Sequence, residues 1–307
     1  MFIEQGFRSE NKFWKYLLGS LFIIAASFVG QLPLLIAVIG KIIITGVSYP
    51  STSDGIMQFF EPNLTFFLIL ISFVFAFASI YFVVKYLHRQ SFLSVTTSRR
   101  QVDWSRIRFS FGLWAVFSIV STLVFYFSNP TLYELNFKPL PFAILFVIAV
   151  ALVPIQTSTE EYVFRSYLMQ GFANLARNKW FPLLMTSLIF GGMHLFNPEV
   201  SKMGNIIFVY YIGTGLFLGI LTLMDEGMEL ALGFHAANNL IGALLVTSDW
   251  SAFQTHSIFK DLSEPEAVSD IILPVLLFYP LLLFIFSRKY QWNNWKEKLT
   301  GRIDVKN

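Results

Sequence analysis

The chain contains no cysteine. Disulfides, thiolate metal sites and a cysteine nucleophile are thereby ruled out in any compartment. Charge is scarce too: 13% of the 307 residues are charged, against 55% hydrophobic and 18% aromatic, 35 of them Phe. A soluble domain carries about twice that share of charge, so a soluble core is excluded. There is no HExxH pair, internal repeat, low-complexity tract or soluble linker domain. Only four histidines occur, and the net charge of +3 comes from basic residues placed where loops meet anionic lipid, with no nucleic-acid face.

What fills the chain is a series of long uncharged runs: 16–40, 62–84, 109–133, 139–159, 180–198, 203–224, 230–248 and 271–287. Roughly 20 apolar residues cross the hydrocarbon, so the reading is an all-α polytopic membrane protein with about eight transmembrane helices and an intramembrane active site. The first run is longer than the apolar region of a secretory signal and reads as a retained anchor. Lys and Arg counts give the orientation. Arg8, Lys12 and Lys15, then Lys85, Arg89, Arg99, Arg100, Arg106 and Arg108, then Arg288, Lys289, Lys296, Lys298, Arg302 and Lys306 mark cytoplasmic segments. The stretch 42–61 has Asp54 and Glu61 without Lys or Arg, and 249–270 is mostly acidic, so both read as external. Both termini are then cytoplasmic, with the plasma membrane as the expected location. The chain divides into N-terminal transmembrane helices (1–138), a catalytic helical core (139–248), and an external loop, last helix and basic tail (249–307).

Three clusters interrupt this apolar background: Glu160-Glu161-Tyr162-Val163-Phe164-Arg165, Phe190-Gly191-Gly192-Met193-His194, and His235-Ala236-Ala237-Asn238-Asn239. Ionisable groups inside a membrane are rare and are kept for function. Pro154, with Gln156, Thr157, Ser158 and Thr159 after it, reads as a break, with Ser158 or Thr159 capping a new helix whose first turn holds Glu160 and Glu161. Arg165 stands four residues after Glu161, which makes that pair a structural clamp. Glu160 is left without a helical partner and available for proton chemistry. Either side of a turn near Arg177, helical arms of roughly 26 and 21 Å bring Glu160 and His194 to similar depth. Gly191-Gly192 lets a backbone or a substrate approach closely. His235 and Asn239 share one helix face, Asn238 lies near it, and His235 falls roughly 13 to 15 Å into its helix. His88 and His256 look like unremarkable loop residues. The bland readings are interfacial caps for the glutamates, packing for His194, and a helix-to-helix hydrogen bond for His235 and its amide. Taken together the clusters suit hydrolysis. A carboxylate beside an imidazole moves a proton from water to a leaving amine, and a second imidazole with an amide donates to an oxyanion.

In this order, the clusters resemble the CAAX-protease and bacteriocin-processing family, the Abi or CPBP membrane endopeptidases that include the Ras-converting type II CAAX enzyme. Its pattern of EExxxR, FxxxH and HxxxN is matched by Glu160, Glu161 and Arg165, by Phe190 and His194, and by His235 and Asn239. The resemblance covers about 155–242. It implies that Glu160 and His194 activate water, that His235 and Asn239 stabilise the oxyanion, selecting Asn239 over Asn238, and that Glu161 and Arg165 orient them. Members are commonly called metalloproteases, and Glu160, His194 and His235 would be the zinc ligands; the preferred reading requires no cofactor, with zinc as the alternative. The implied partners are the lipid bilayer and a membrane-associated peptide or lipidated protein substrate. A non-catalytic scaffold or bacteriocin self-immunity protein on the same fold is the competing reading, and a proton-coupled transporter a third.

Overall fold

The computed structural model describes residues 1–7 and 11–303; Arg8 and Lys306, together with the side chain of Asp54, lie outside the described residues. Among the described residues eight principal helices follow one another: α1 Phe13–Thr45, α2 Pro62–Leu87, α3 Trp104–Ser128, α4 Pro139–Ala176, α5 Trp180–Gly192, α6 Pro198–Asp225, α7 Glu229–Leu245 and α8 Val268–Tyr290. Six of them are long and apolar enough to cross a membrane. The protein is an all-α polytopic membrane protein, with two of the expected spans carried by shorter helices. The apolar runs at 180–198 and 230–248 form helices of only 13 and 17 residues. At 1.5 Å per residue α5 reaches about 20 Å, less than the hydrocarbon thickness. Hydropathy counts apolar residues, and cannot tell those facing lipid from those packed inside the protein.

Short polar signals set the helix ends. Glu61 accepts from Leu64 N before α2, and Asp103 accepts from Ser105 N and Arg106 N before α3, each satisfying donors that the first turn leaves unpaired. Gly46 at φ 72° closes α1, in the left-handed region that suits glycine.

Packing places α7 at the centre. It lies against α3, α4 and α6, while α1 pairs with α2, α2 with α4, and α5 with α6. One apolar cluster joins Trp114 of α3, Phe217 and Leu221 of α6, Phe234 of α7 and Tyr279 and Phe286 of α8. A second joins Phe66 and Leu70 of α2, Leu145 and Val153 of α4, and Leu240 and Ala243 of α7. Helix α7 therefore shows protein to most of its circumference and need not be apolar throughout, which is why it can hold His235, Asn238 and Asn239.

Helix α4 runs from Pro139 to Ala176 without a break. The predicted break at Pro154 and new cap at Ser158 or Thr159 do not form. Thr157 Oγ1 instead donates to the Val153 carbonyl and Thr159 Oγ1 to the Ile155 carbonyl, the back-bonding that lets hydroxyls sit inside a helix. Glu160 and Glu161 accordingly stand in mid-helix, away from any N-terminal dipole. The turn after them, Tyr162–Leu168, widens to π geometry, a distortion frequent at functional sites.

The contacts sort the connections into two ends. At one, Phe2 N donates to Glu226, Gln5 to the Thr97 carbonyl, Lys179 pairs with Glu297, and Lys298 donates to the Met224 carbonyl. The N-terminus, the loop after α2, the Arg177–Lys179 turn and the tail thus share the basic end. At the other, His256 meets Glu61 at 2.7 Å, and β1 Tyr133–Leu135, β2 Val246–Thr247 and β3 Phe259–Asp261 form a small sheet in the order β1-β3-β2. No periodicity announced strands this short.

Candidate active site

Glu160 and Glu161, adjacent on α4, both approach His235 of α7. His235 Nδ1 lies 2.7 Å from Glu161 Oε1, and its Nε2 lies 3.5 Å from Glu160 Oε2. A carboxylate only accepts, so Nδ1 carries the proton toward Glu161. The Nε2 contact is too long for a firm hydrogen bond, which leaves that atom able to turn to a ligand. Glu161 has no exposed side-chain surface, and Arg165 Nη1 stands 3.4 Å from it. The guanidinium lies over the ring of Phe190, 4.2 Å from its centroid, so the aromatic face supplies part of what water would give this buried cation.

Glu160 is not without a helical partner, contrary to the expectation from spacing. Its Oε1 accepts from Gln156 Nε2, one turn earlier. Gln156 Oε1 accepts from Asn239 Nδ2 at 3.1 Å, Asn239 Oδ1 accepts from Asn238 Nδ2 at 3.1 Å, and Asn238 Oδ1 accepts from Trp114 Nε1 at 3.0 Å. A single polar chain therefore runs from Trp114 on α3 through α7 to α4, and ends on the Glu160–His235–Glu161 group. Gln156 and Trp114 were not anticipated as site residues. A lone amide or indole in an apolar run has no spacing signal, although the four-residue offset of Gln156 from Glu160 was available.

His194 does not sit on a span. It lies in the turn 193–197 that follows the end of α5, where His194 N, Leu195 N and Asn197 N donate to the carbonyls of Gly191, Gly192 and His194. Those bonds make an irregular segment tolerable at membrane depth. The imidazole donates from Nδ1 to the Phe190 carbonyl at 2.8 Å, which makes Nε2 the proton-accepting nitrogen. Its ring stacks on Tyr211 at 4.3 Å and contacts Phe190 at 4.8 Å. Phe190 also lies 6.2 Å from the ring of His235, so this one aromatic touches both imidazoles and the Arg165 guanidinium. Glu160 and His235 are close enough to His194 to act on it electrostatically. Of the two glycines, Gly191 admits α6, since a Cβ there would meet Ile212 at 2.5 Å, while Gly192 has nothing within 4 Å of where a Cβ would stand. His235 lies six residues into α7, or about 9 Å, nearer the basic end than sequence counting placed it.

The histidines set aside in the sequence differ from each other. His88 is buried, bonded through Nδ1 to Asn11 at 3.1 Å and through Nε2 to Tyr167 at 2.9 Å, a packed structural residue outside this site.

The donors offered to zinc were Glu160, His194 and His235. Among the described residues no three His, Asp or Glu side chains gather as a metal cluster. Both nitrogens of His235 lie against carboxylates. The arrangement does not fit zinc as it stands, and no step below is routed through a metal.

Residues 137–241 match the family model described as type II CAAX prenyl endopeptidase Rce1-like. The chain is also 27% identical over 245 residues to a Bacillus subtilis (strain 168) protein described as "Uncharacterized protein YyaK", covering 80% of this chain and 81% of the relative. No solved structure matches the chain. The matched segment contains all three motif groups, and over residues 137–241 the helical core of this chain is similar to the Rce1-like family of type II CAAX prenyl endopeptidases.

Proposed function

We propose that the protein is an intramembrane endopeptidase of the CAAX-processing type, cutting a peptide bond in a membrane-associated peptide or lipidated protein. The observation that carries this reading is the chain of hydrogen bonds that ends on Glu160, His235 and Glu161, inside an apolar helix bundle and beside His194. Glu160 takes the proton from an attacking water, and His194, with Nε2 open, shares proton transfer to the leaving amine. His235 is oriented by Glu161, and its Nε2 stands at the edge of the carboxylate pair. Asn239 uses one N–H on Gln156 and keeps the other. Asn239 and, once doubly protonated, His235 through Nε2 donate to the oxygen that becomes negative, each contributing a few kcal/mol where water is excluded. Arg165 holds the Glu161 charge in place, so Glu161 and Arg165 orient the reacting groups. No cofactor is required in this scheme. The basic end faces the cytoplasm, by the distribution of Lys and Arg, and the membrane is the plasma membrane.

The test uses purified full-length protein in detergent or liposomes, with a panel of prenylated and unmodified peptides and cleavage read by mass spectrometry. Glu160→Gln and His194→Ala should each lower cleavage by roughly a hundredfold or more, and a chelator should leave the wild type active. Loss of activity on chelation with recovery on added zinc would replace the metal-free mechanism. A phenotype that persists in Glu160→Gln would replace the enzyme with the scaffold or immunity reading.

A further inference from the structure

At the basic end, the loop before α3 and the first turn of that helix enclose an open hollow of about 520 Å³, lined by Arg99, Arg100, Asp103, Trp104 and Arg108 among others. Much of the charge there is already committed. Arg99 pairs with Asp225 and Glu229, each at 3.0 Å. Asp103 caps α3 and pairs with Arg106 at 3.0 Å, so its carboxylate is turned to the helix and its neighbours. Two guanidinium groups remain. Arg100 and Arg108 are exposed, and among the described residues neither has an ion-pair or hydrogen-bond partner. Trp104 stands four residues before Arg108 on the same helix face and is 65% exposed. On the Arg108 side the same helix continues into exposed Ile119 and Leu123. An exposed indole at the start of a span marks the interface between headgroups and acyl chains.

We propose that this hollow binds the phosphate of an anionic phospholipid headgroup, gripped by Arg100 and Arg108, with the acyl chains running past Trp104 along α3. Guanidinium groups match phosphate oxygens in paired, charge-assisted hydrogen bonds and are less strongly hydrated than ammonium groups. The apolar face continuing from the hollow selects a lipid over a free anion, because a bound headgroup places its chains against Trp104, Ile119 and Leu123. The site is also joined to the helix of the candidate active site: Asp103 N donates to Glu229 Oε1 at 3.2 Å, and Arg99 holds the same carboxylate at the first residue of α7. A lipid seated here braces the end of the helix that carries His235.

Native mass spectrometry of the full-length protein, titrated with phosphatidylglycerol or phosphatidylcholine, tests the proposal. The wild type should retain phosphatidylglycerol preferentially. R100Q/R108Q should lose that retention by roughly tenfold or more, the effect of charge-assisted bonds. R288Q/K289Q, which removes equal charge from the same end, should keep it. Unchanged retention in R100Q/R108Q, or equal loss in R288Q/K289Q, overturns the site. Displacement of the lipid by millimolar inorganic phosphate overturns the lipid assignment in favour of a small-anion site. Because both side chains are exposed, the thermal unfolding midpoint of R100Q/R108Q should match the wild type without added lipid; if it falls, the single R100Q and R108Q variants, each losing part of the retention, give the same readout.

Discussion

Glu161 has no exposed surface and two basic neighbours, His235 at 2.7 Å and Arg165 at 3.4 Å. A lone carboxylate in such a place is strongly disfavoured, so its position is set by the partners that balance it. Glu160, next in the chain, is held differently. Its firm contact is the neutral amide of Gln156, which also takes the amide of Asn239. Gln156 acts through these two residues, as a positioning residue. Gln156→Leu keeps the volume and removes both contacts, and kcat should fall about ten- to hundredfold with KM little changed, the size of loss that small misplacement of reacting groups produces. Gln156→Glu sets a second carboxylate against Glu160 and should do worse. If either substitution acted through KM alone, Gln156 would belong to substrate binding instead.

Helix α7 depends on close approach. A Cβ on Gly233 would meet the Ile107 carbonyl at 2.3 Å and Phe111 N at 3.0 Å, and Ser110 Oγ donates to the Leu230 carbonyl across the same contact. Backbone cannot swing aside as a flexible side chain can, so α3 and α7 would have to separate. Gly233→Ala should lower stability by about 1–3 kcal/mol, read from thermal unfolding in detergent. Gly242, on the same helix with nothing within 4 Å, is the control, and Gly242→Ala should be neutral or slightly stabilising. Equal effects at both positions would mean that helix propensity, not approach, governs α7. This element also marks how far hydropathy reaches. The uncharged run at 230–248 was plain in the sequence, and so was the shared face of His235 and Asn239. That α7 is surrounded by α3, α4 and α6 was not, because burial against protein and burial in lipid select the same residues.

The basic end is tied together by side chains from distant parts of the chain. His88, just after α2, bonds Asn11 before α1 and Tyr167 on α4, with Tyr16 of α1 packed against its ring at 4.4 Å. Burial, with Lys15 nearby, lowers its pKa from 6.5 to about 4. The unfolded chain therefore takes up a proton near pH 6.5 that the folded protein refuses until about pH 4. Stability contributed by neutral His88 is complete above pH 6.5 and is lost as the pH falls toward 4. At pH 5 the loss is about 2 kcal/mol. The unfolding midpoint should accordingly drop between pH 7 and pH 5, and His88→Gln should start lower but lose less over that interval. A wild type and variant with parallel pH dependence would remove His88 as the cause.

By itself the sequence determined the solvent and the reagents. Scarce charge and long apolar runs require a bilayer, and two carboxylates, two imidazoles and an amide can be counted without knowing where they point. Positive charge near the termini and after α2 likewise follows from composition, and the contacts gather those segments at one end. Which nitrogen of His235 faces Glu161, why Glu160 leans on Gln156, and where His194 stands after α5 has ended were decided only in three dimensions. Those outcomes depend on contacts between helices far apart in the chain, and a hydrogen bond across such a gap leaves no period in the sequence to be read.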